Sequence, residues 1–193
     1  MQRELKILLF VSVFINLAGG AFGPVYAVFV KEIGGDLLTA GIAQSIYALA
    51  AGALMFVLSR WEDHVKHQEK LVVLGRIFTV IGYFTYMFVN SSMSLFAAQI
   101  FLGIGTAIIA PAFDSLYSKH LDKGKFASQW GVWESSNWFI VGVAALMGGI
   151  ISNYFGFKAL FVVMFIFSVI SLIFTIILVK IADIDEKRVR KKR

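Results

Sequence analysis

Three charged residues interrupt long apolar runs of the sequence, where a charge is unfavourable. Arg76 lies inside the third run, Asp114 near the end of the fourth and Glu134 near the start of the fifth. A charge at the centre of a membrane helix costs roughly 2.5–3.5 kcal/mol unless it is paired or hydrated. We expect all three at a similar depth, on the order of 6–9 Å inside the cytoplasmic boundary of a membrane.

If the three side chains converge, Arg76 neutralises one carboxylate and leaves one negative charge in surplus. A proton, a cation or a cationic solute could neutralise that charge. Asp114, Glu134 and Arg76 are therefore candidates for proton coupling or gating. The alternative is that the three charges only tie neighbouring helices together or close an inner gate.

Polar residues near the middle of the apolar runs are candidates for binding a small solute. Asn16 lies halfway along the first run, just before the flexible segment AGGAFGP. For each candidate, the alternative role is a hydrogen bond to a neighbouring helix. The full set is Asn16, Tyr26, Gln44, Tyr47, Gln99, Asn137 and Trp138.

The sequence offers few of the residues that membrane-embedded enzymes use for catalysis. The chain has no cysteine, and its three histidines, His64, His67 and His120, fall in predicted loops outside the membrane. Neither a zinc site within the membrane nor a phosphate-binding loop is present in the sequence. We expect no enzyme activity, no metal and no cofactor.

Six apolar runs set the predicted architecture. The chain is 59% hydrophobic and 16% charged, with a mean hydropathy of +0.79, so its surface must face lipid. A bilayer core about 30 Å thick requires roughly 20 apolar residues per helix. We predict an all-α integral membrane domain over residues 1–181 and a basic cytoplasmic tail over 182–193. The predicted helices lie near residues 5–30, 39–59, 71–89, 93–118, 128–152 and 157–181.

The positions of Lys and Arg predict the orientation. Of 18 such residues, only Lys31 and Lys158 fall on the outer side of a six-helix arrangement whose termini are inside. Because short cytoplasmic loops retain positive charge, both termini are predicted to be cytoplasmic, in a cell membrane. The terminal RVRKKR then contacts anionic lipid rather than nucleic acid.

The two halves of the chain show a weak internal repeat. The only prolines are Pro24 in the first run and Pro111 in the fourth. The run after Pro24 opens with Gly41 and Gln44, and the run after Pro111 opens with Gly131 and Glu134. A repeat of three spans is an odd number, so the second repeat starts on the opposite side of the membrane. The pattern therefore predicts two three-helix repeats of inverted topology.

The segment GGIISNYFGFKALF, residues 148–161, resembles the junction of the fifth and sixth helices in the major facilitator superfamily. Paired glycines, a short outer loop, Gly156, Lys158 and Phe161 carry this resemblance. In the loop after the second helix, Asp63 is similar to the acidic gating residue of the family. Other signature positions there differ.

The fourth helix also resembles the family, with differences. Gly103 and Gly105 fit its glycine pattern, while Gln99 stands where many members carry Arg. The family has twelve helices in two halves of the same orientation. The resemblance therefore covers an N-terminal half, with helices one, two, four and five expected to line the cavity and the seam with the other half. Helices three and six are expected to face lipid.

The resemblance implies a half-size secondary transporter that moves a small solute, with possible coupling to protons. Two copies inserted the same way would complete a substrate pathway as a parallel homodimer. Small residues on two helices are candidates for that contact or for packing within one copy: Gly41, Ser45, Ala48, Gly52, Gly142, Ala145 and Gly149. A non-transporting membrane module and an N-terminal half cut from a twelve-helix transporter remain the alternatives.

Overall fold

The computed structural model describes the backbone of residues 3–191 and the side chains of residues 8–180. Within this part of the chain all regular structure is helical. The helices are α1 (Arg3–Phe22), α2 (Tyr26–Glu32), α3 (Leu37–Glu62), α4 (Gln68–Tyr86), α5 (Ser92–Lys119) and α6 (Phe126–Lys191). A short 3₁₀ turn, Gly23–Val25, joins α1 to α2 and contains Pro24. Side chains of the predicted basic tail lie outside the described residues.

Two helices begin with side-chain caps. The backbone N–H and the hydroxyl of Thr39 donate hydrogen bonds of 2.7 and 2.8 Å to Asp36 at the start of α3. These bonds favour the carboxylate and hold the pKa of Asp36 below its ordinary value. At α5, Ser91 and Ser94 form a reciprocal capping box.

Gly156 breaks α6 into two halves, 126–155 and 157–191. Its φ of 78° and ψ of 171° are not helical, and glycine adopts this conformation without a steric penalty. The apolar stretch Phe126–Lys180 has 55 residues, on the order of 80 Å if straight, which far exceeds a membrane. Ala144 before the break and Phe161 after it belong to one hydrophobic core, so the chain folds back at Gly156.

Among the described residues, four continuous helical segments are long and apolar enough to cross a membrane. They are the segments Leu8–Glu32, Leu37–Glu62, Ser92–Lys119 and Phe126–Lys180. Helix α4 has 19 residues, including Glu69, Lys70 and Arg76, and is not among them. The protein is therefore an all-α, multi-pass membrane protein, and the number of six spans remains a prediction.

The helices pack in two groups around close contacts at glycine. Helix α1 lies against both halves of α6: a Cβ on Gly20 would lie 3.0 Å from the Cβ of Ala144, and Ser171 donates to the Val11 carbonyl at 3.1 Å. Helix α5 lies against α3 and α4. A Cβ on Gly103 would approach the Tyr47 carbonyl oxygen to 2.8 Å, so the small residue allows the backbones of α3 and α5 to meet.

Candidate functional site

A cavity of about 820 Å³ opens between the helices. Its walls come from α1 to α5 and both halves of α6, together with the turn that contains Gly23. Aromatic rings make up much of the wall, and hydroxyl, amide and charged groups interrupt it. The polar and charged lining residues are Ser12, Asn16, Tyr26, Gln44, Tyr47, Arg76, Thr79, Tyr83, Tyr86, Gln99, Thr106, Asp114 and Trp133.

Five of the seven residues predicted to bind a solute line this cavity. The Gln99 amide donates to the Tyr26 hydroxyl at 3.0 Å, and the hydroxyls of Tyr47 and Thr106 lie 3.1 Å apart. Asn16 and Gln44 complete the set. Some of these groups form hydrogen bonds between helices and also face the cavity. A residue can therefore link two helices and still be available to bind a solute.

Asn137 and Trp138 do not line the cavity. The Asn16 amide donates to the Asn137 carbonyl oxygen at 2.6 Å, which ties α1 to the first half of α6. Trp138 is 72% exposed on the outside of the bundle. Asn137 therefore supports a lining residue from behind, and Trp138 faces away from the candidate site.

The predicted charge trio is only partly assembled. Arg76 and Asp114 both line the cavity, whereas Glu134 is exposed and is not among the lining residues. Asp114 and Glu134 lie close enough for their carboxylates to repel each other. The cavity therefore combines an exposed carboxylate, Asp114, with a buried cation, Arg76.

The third helix was expected to face lipid rather than the cavity, but one face of α4 lines the cavity. Arg76, Thr79, Tyr83 and Tyr86 of α4 all line the cavity, and each is less than 9% exposed. Their spacing of three, four and three residues places them on one face of a helix. This polar stripe was visible in the sequence, and packing of α4 against α5 and α6 turned it inward. Met164 from the second half of α6, the expected sixth helix, also lines the cavity.

A second buried charge, Glu62, lies at the end of α3 and was not predicted. Its side chain is 2% exposed, and neither carboxylate oxygen has a hydrogen-bond partner. The predicted gating residue Asp63 is its neighbour and is exposed. Nearby, Gln68 accepts hydrogen bonds from Ser115 at 2.8 Å and Lys119 at 2.7 Å, which link α4 to α5.

The predicted small-residue stripes lie on open faces of α3 and α6. Gly41, Ser45, Ala48, Gly52 and Gly142 are exposed. A Cβ added at Gly41, Gly52, Gly142 or Gly149 would find no neighbour within 4 Å, in contrast to Gly103. Packing within this chain therefore does not account for the glycines on these faces.

Comparison with known proteins places the chain in a family. The sequence profile of the Major Facilitator Superfamily matches residues 8–193. The chain belongs to this superfamily, as its junction motif predicted. The superfamily consists of transporters, which fits the prediction that the chain is not an enzyme.

Three relatives show how much of a full-length member the chain represents. It is 22% identical over 151 residues to an uncharacterised MFS-type transporter of Methanocaldococcus jannaschii, covering 78% of this chain and 39% of the relative. It is 24% identical over 174 residues to a homologue of the multidrug resistance efflux pump PmrA from Lactococcus lactis, covering 88% and 43%. It is 28% identical over 141 residues to the quinolone resistance protein NorB of Staphylococcus aureus, covering 71% and 29%. The chain thus spans less than half of each relative.

Proposed function

We propose that this chain is one half of a secondary active transporter that moves a small solute across a cell membrane by alternating access. The observation that carries the proposal is the cavity of about 820 Å³, because it places polar side chains among helical segments that are long and apolar enough to cross a membrane. Such groups are costly in lipid and are typical of a solute pathway. The embedded carboxylate Asp114 supplies a group that can carry a proton.

Six membrane spans in two inverted repeats form the proposed half. The break at Gly156 divides α6 into two spans, and α4 is the third span in chain order. Helix α1 packs against both halves of α6, the proposed spans five and six, while α5 packs against spans two and three. The first span of each repeat thus packs against the last two spans of the other repeat. Two structurally related repeats would produce this pattern.

A second copy of the chain completes the proposed transporter as a parallel homodimer. The open glycines of α3 and α6 leave room for another helix to approach closely, and large exposed side chains such as Leu49 and Leu146 flank them. The bias of positive charge inserts every copy with the same orientation, with both termini in the cytoplasm. Symmetry then brings identical faces together.

Flux into proteoliposomes that contain only this chain tests the transport proposal. A panel of aromatic acids, aromatic cations, sugars and amino acids is offered with and without a pH gradient. Ala110→Trp fills the cavity and should abolish uptake, whereas Ala97→Trp, on the exposed face of the same helix, should leave it unchanged. If no solute in the panel moves, the transport proposal fails.

Single-cysteine crosslinking tests the assembly, and the chain suits it because it has no native cysteine. Ser45→Cys and Gly142→Cys lie on the open small-residue faces, and Ile81→Cys lies on an exposed part of α4 away from them. In native membranes we expect covalent dimers from the first two variants and monomers from the third. Crosslinks to a different protein, or monomers throughout, would contradict the homodimer and favour a half that requires another partner.

A further inference from the structure

Arg76 is the one side chain in the cavity whose charge is both buried and unpaired among the residues that the structure describes. Its side chain is 5% exposed, and its Nε atom is enclosed without a hydrogen-bond partner. Asp114 lines the same cavity, yet no ion pair joins the two. A buried cation without a counter-charge is unfavourable, so this site is built to receive a negative group.

The neighbouring polar groups do not provide Arg76 with a partner. The hydroxyl of Thr79, one turn further along α4, donates to the Gly75 carbonyl at 3.0 Å. The Gln99 amide is bonded to Tyr26. Asp114 is exposed. The guanidinium therefore keeps donors available on the cavity wall, in the planar arrangement that suits a carboxylate.

The remaining wall is suited to a flat apolar body. Phe113 and Trp133 line the cavity with ring centroids 4.8 Å apart, and Tyr47 and Tyr83 add two more rings. Aromatic rings pack well against other rings in offset or edge-to-face geometry. The volume lies within the range of roughly 300–1,000 Å³ that is common for small-molecule sites.

We propose that Arg76 binds the carboxylate of an aromatic acid whose ring lies among the aromatic side chains of the cavity. This inference rests on the proposed function, since it assigns a class of substrate to the same cavity. It also reverses the expectation drawn from the charge trio. That trio suggested a surplus negative charge, whereas the buried charge that lines the cavity is positive.

Three matched probes test the charge preference: benzoate, benzamide and benzylammonium. Each is titrated against the full chain in phosphatidylcholine nanodiscs, and dissociation constants are obtained from the ligand-dependent rise in melting temperature. The variants are Arg76→Gln, Arg76→Lys and the control Arg60→Gln, which removes an exposed arginine outside the cavity. Benzamide binding reports whether each variant keeps a folded cavity.

We expect the wild type and Arg60→Gln to bind benzoate at least about tenfold more tightly than benzamide. Arg76→Gln should lose this preference while it still binds benzamide, and Arg76→Lys should retain part of it. Equal affinities in the wild type, a preference that survives in Arg76→Gln, tighter binding of benzylammonium or no binding of benzoate would each overturn the proposal.

The binding assay separates this inference from the transport proposal, because it requires no flux. Carboxylate-selective binding without transport would support the anion site and contradict the proposed function. Transport that is insensitive to Arg76→Gln would support the proposed function and contradict the anion site. Phosphatidylglycerol nanodiscs provide the last comparison: if this lipid stabilises the wild type over Arg76→Gln and no preference for benzoate is found, the site holds a lipid headgroup and the aromatic-acid proposal is wrong.

Discussion

At the scale of single residues, adjacent carboxylates at the end of α3 have opposite environments. Glu62 is 2% exposed with two unpartnered oxygens, and Asp63 is exposed to its surroundings. Burying a polar group without a hydrogen bond is unfavourable, and the penalty is larger for a charge. The residue that resembles the family's gating position is therefore the less constrained of the pair.

Glu62→Met should stabilise the protein. The substitution keeps the length of the side chain and removes both unpartnered oxygens, so we expect a gain on the order of 1–3 kcal/mol in the free energy of unfolding. Thermal unfolding in nanodiscs measures it. Asp63→Asn is the matched control and should change stability little, because this side chain is exposed. A loss of stability in Glu62→Met would mean that the carboxylate has a favourable interaction that the folded chain alone does not contain.

At the scale of helices, neighbouring glycines of α6 face different environments. A Cβ on Gly148 would clash with the backbone of Ala21 in α1, while a Cβ on Gly149 would have no neighbour within 4 Å. The pair GG in the sequence predicts close helix packing, but it does not indicate which glycine provides it. One position brings α1 and α6 together, and the other lies on the open face.

Gly148→Ala and Gly149→Ala should therefore differ sharply. We expect Gly148→Ala to destabilise the protein by about 1–3 kcal/mol, since the helices must separate to admit a methyl group. Gly149→Ala should leave the melting temperature unchanged or raise it slightly, because alanine has a higher helix propensity than glycine. Melting temperatures of the two variants test this. Similar losses in both would mean that α1 does not meet α6 in the register described.

At the scale of the whole molecule, transport that is driven by protons requires a titratable group that faces the pathway. Asp114 lines the cavity, and Glu134 is exposed beside it. Asp114→Asn should abolish uptake driven by a pH gradient and leave the melting temperature nearly unchanged. Glu134→Gln should reduce uptake less, since its side chain does not line the cavity. Solute uptake is measured in proteoliposomes, and an internal pH-sensitive dye reports the accompanying movement of protons.

Two results would contradict this prediction. If Asp114→Asn retains uptake driven by a pH gradient, another group carries the proton. If the variant unfolds, Asp114 ties helices together, as in the alternative interpretation of the charge trio. An exposed carboxylate is a poor tie, which favours the coupling role.

Several features of the protein follow from its sequence alone because they depend on composition and local chemistry. High hydropathy and low charge require a membrane, and the junction motif around Gly156 indicated the superfamily. Five of the seven predicted polar residues line the cavity. They were found from their position near the middle of the apolar runs, from the cost of polar groups in lipid and from the family resemblance, which indicated the helices that line the cavity.

Only the tertiary structure decided which way each helix face turns. The family resemblance implied that α4 faces lipid, although its Arg76 and Tyr83 line the cavity. The polar stripe of α4 was present in the sequence, but the sequence does not indicate which helices that stripe meets. Packing between helices also separated Glu62 from Asp63 and Gly148 from Gly149, which local sequence treats alike. The sequence determined that charges lie within the membrane, whereas the packing left Arg76 buried without a partner, since pairing depends on contacts between distant segments.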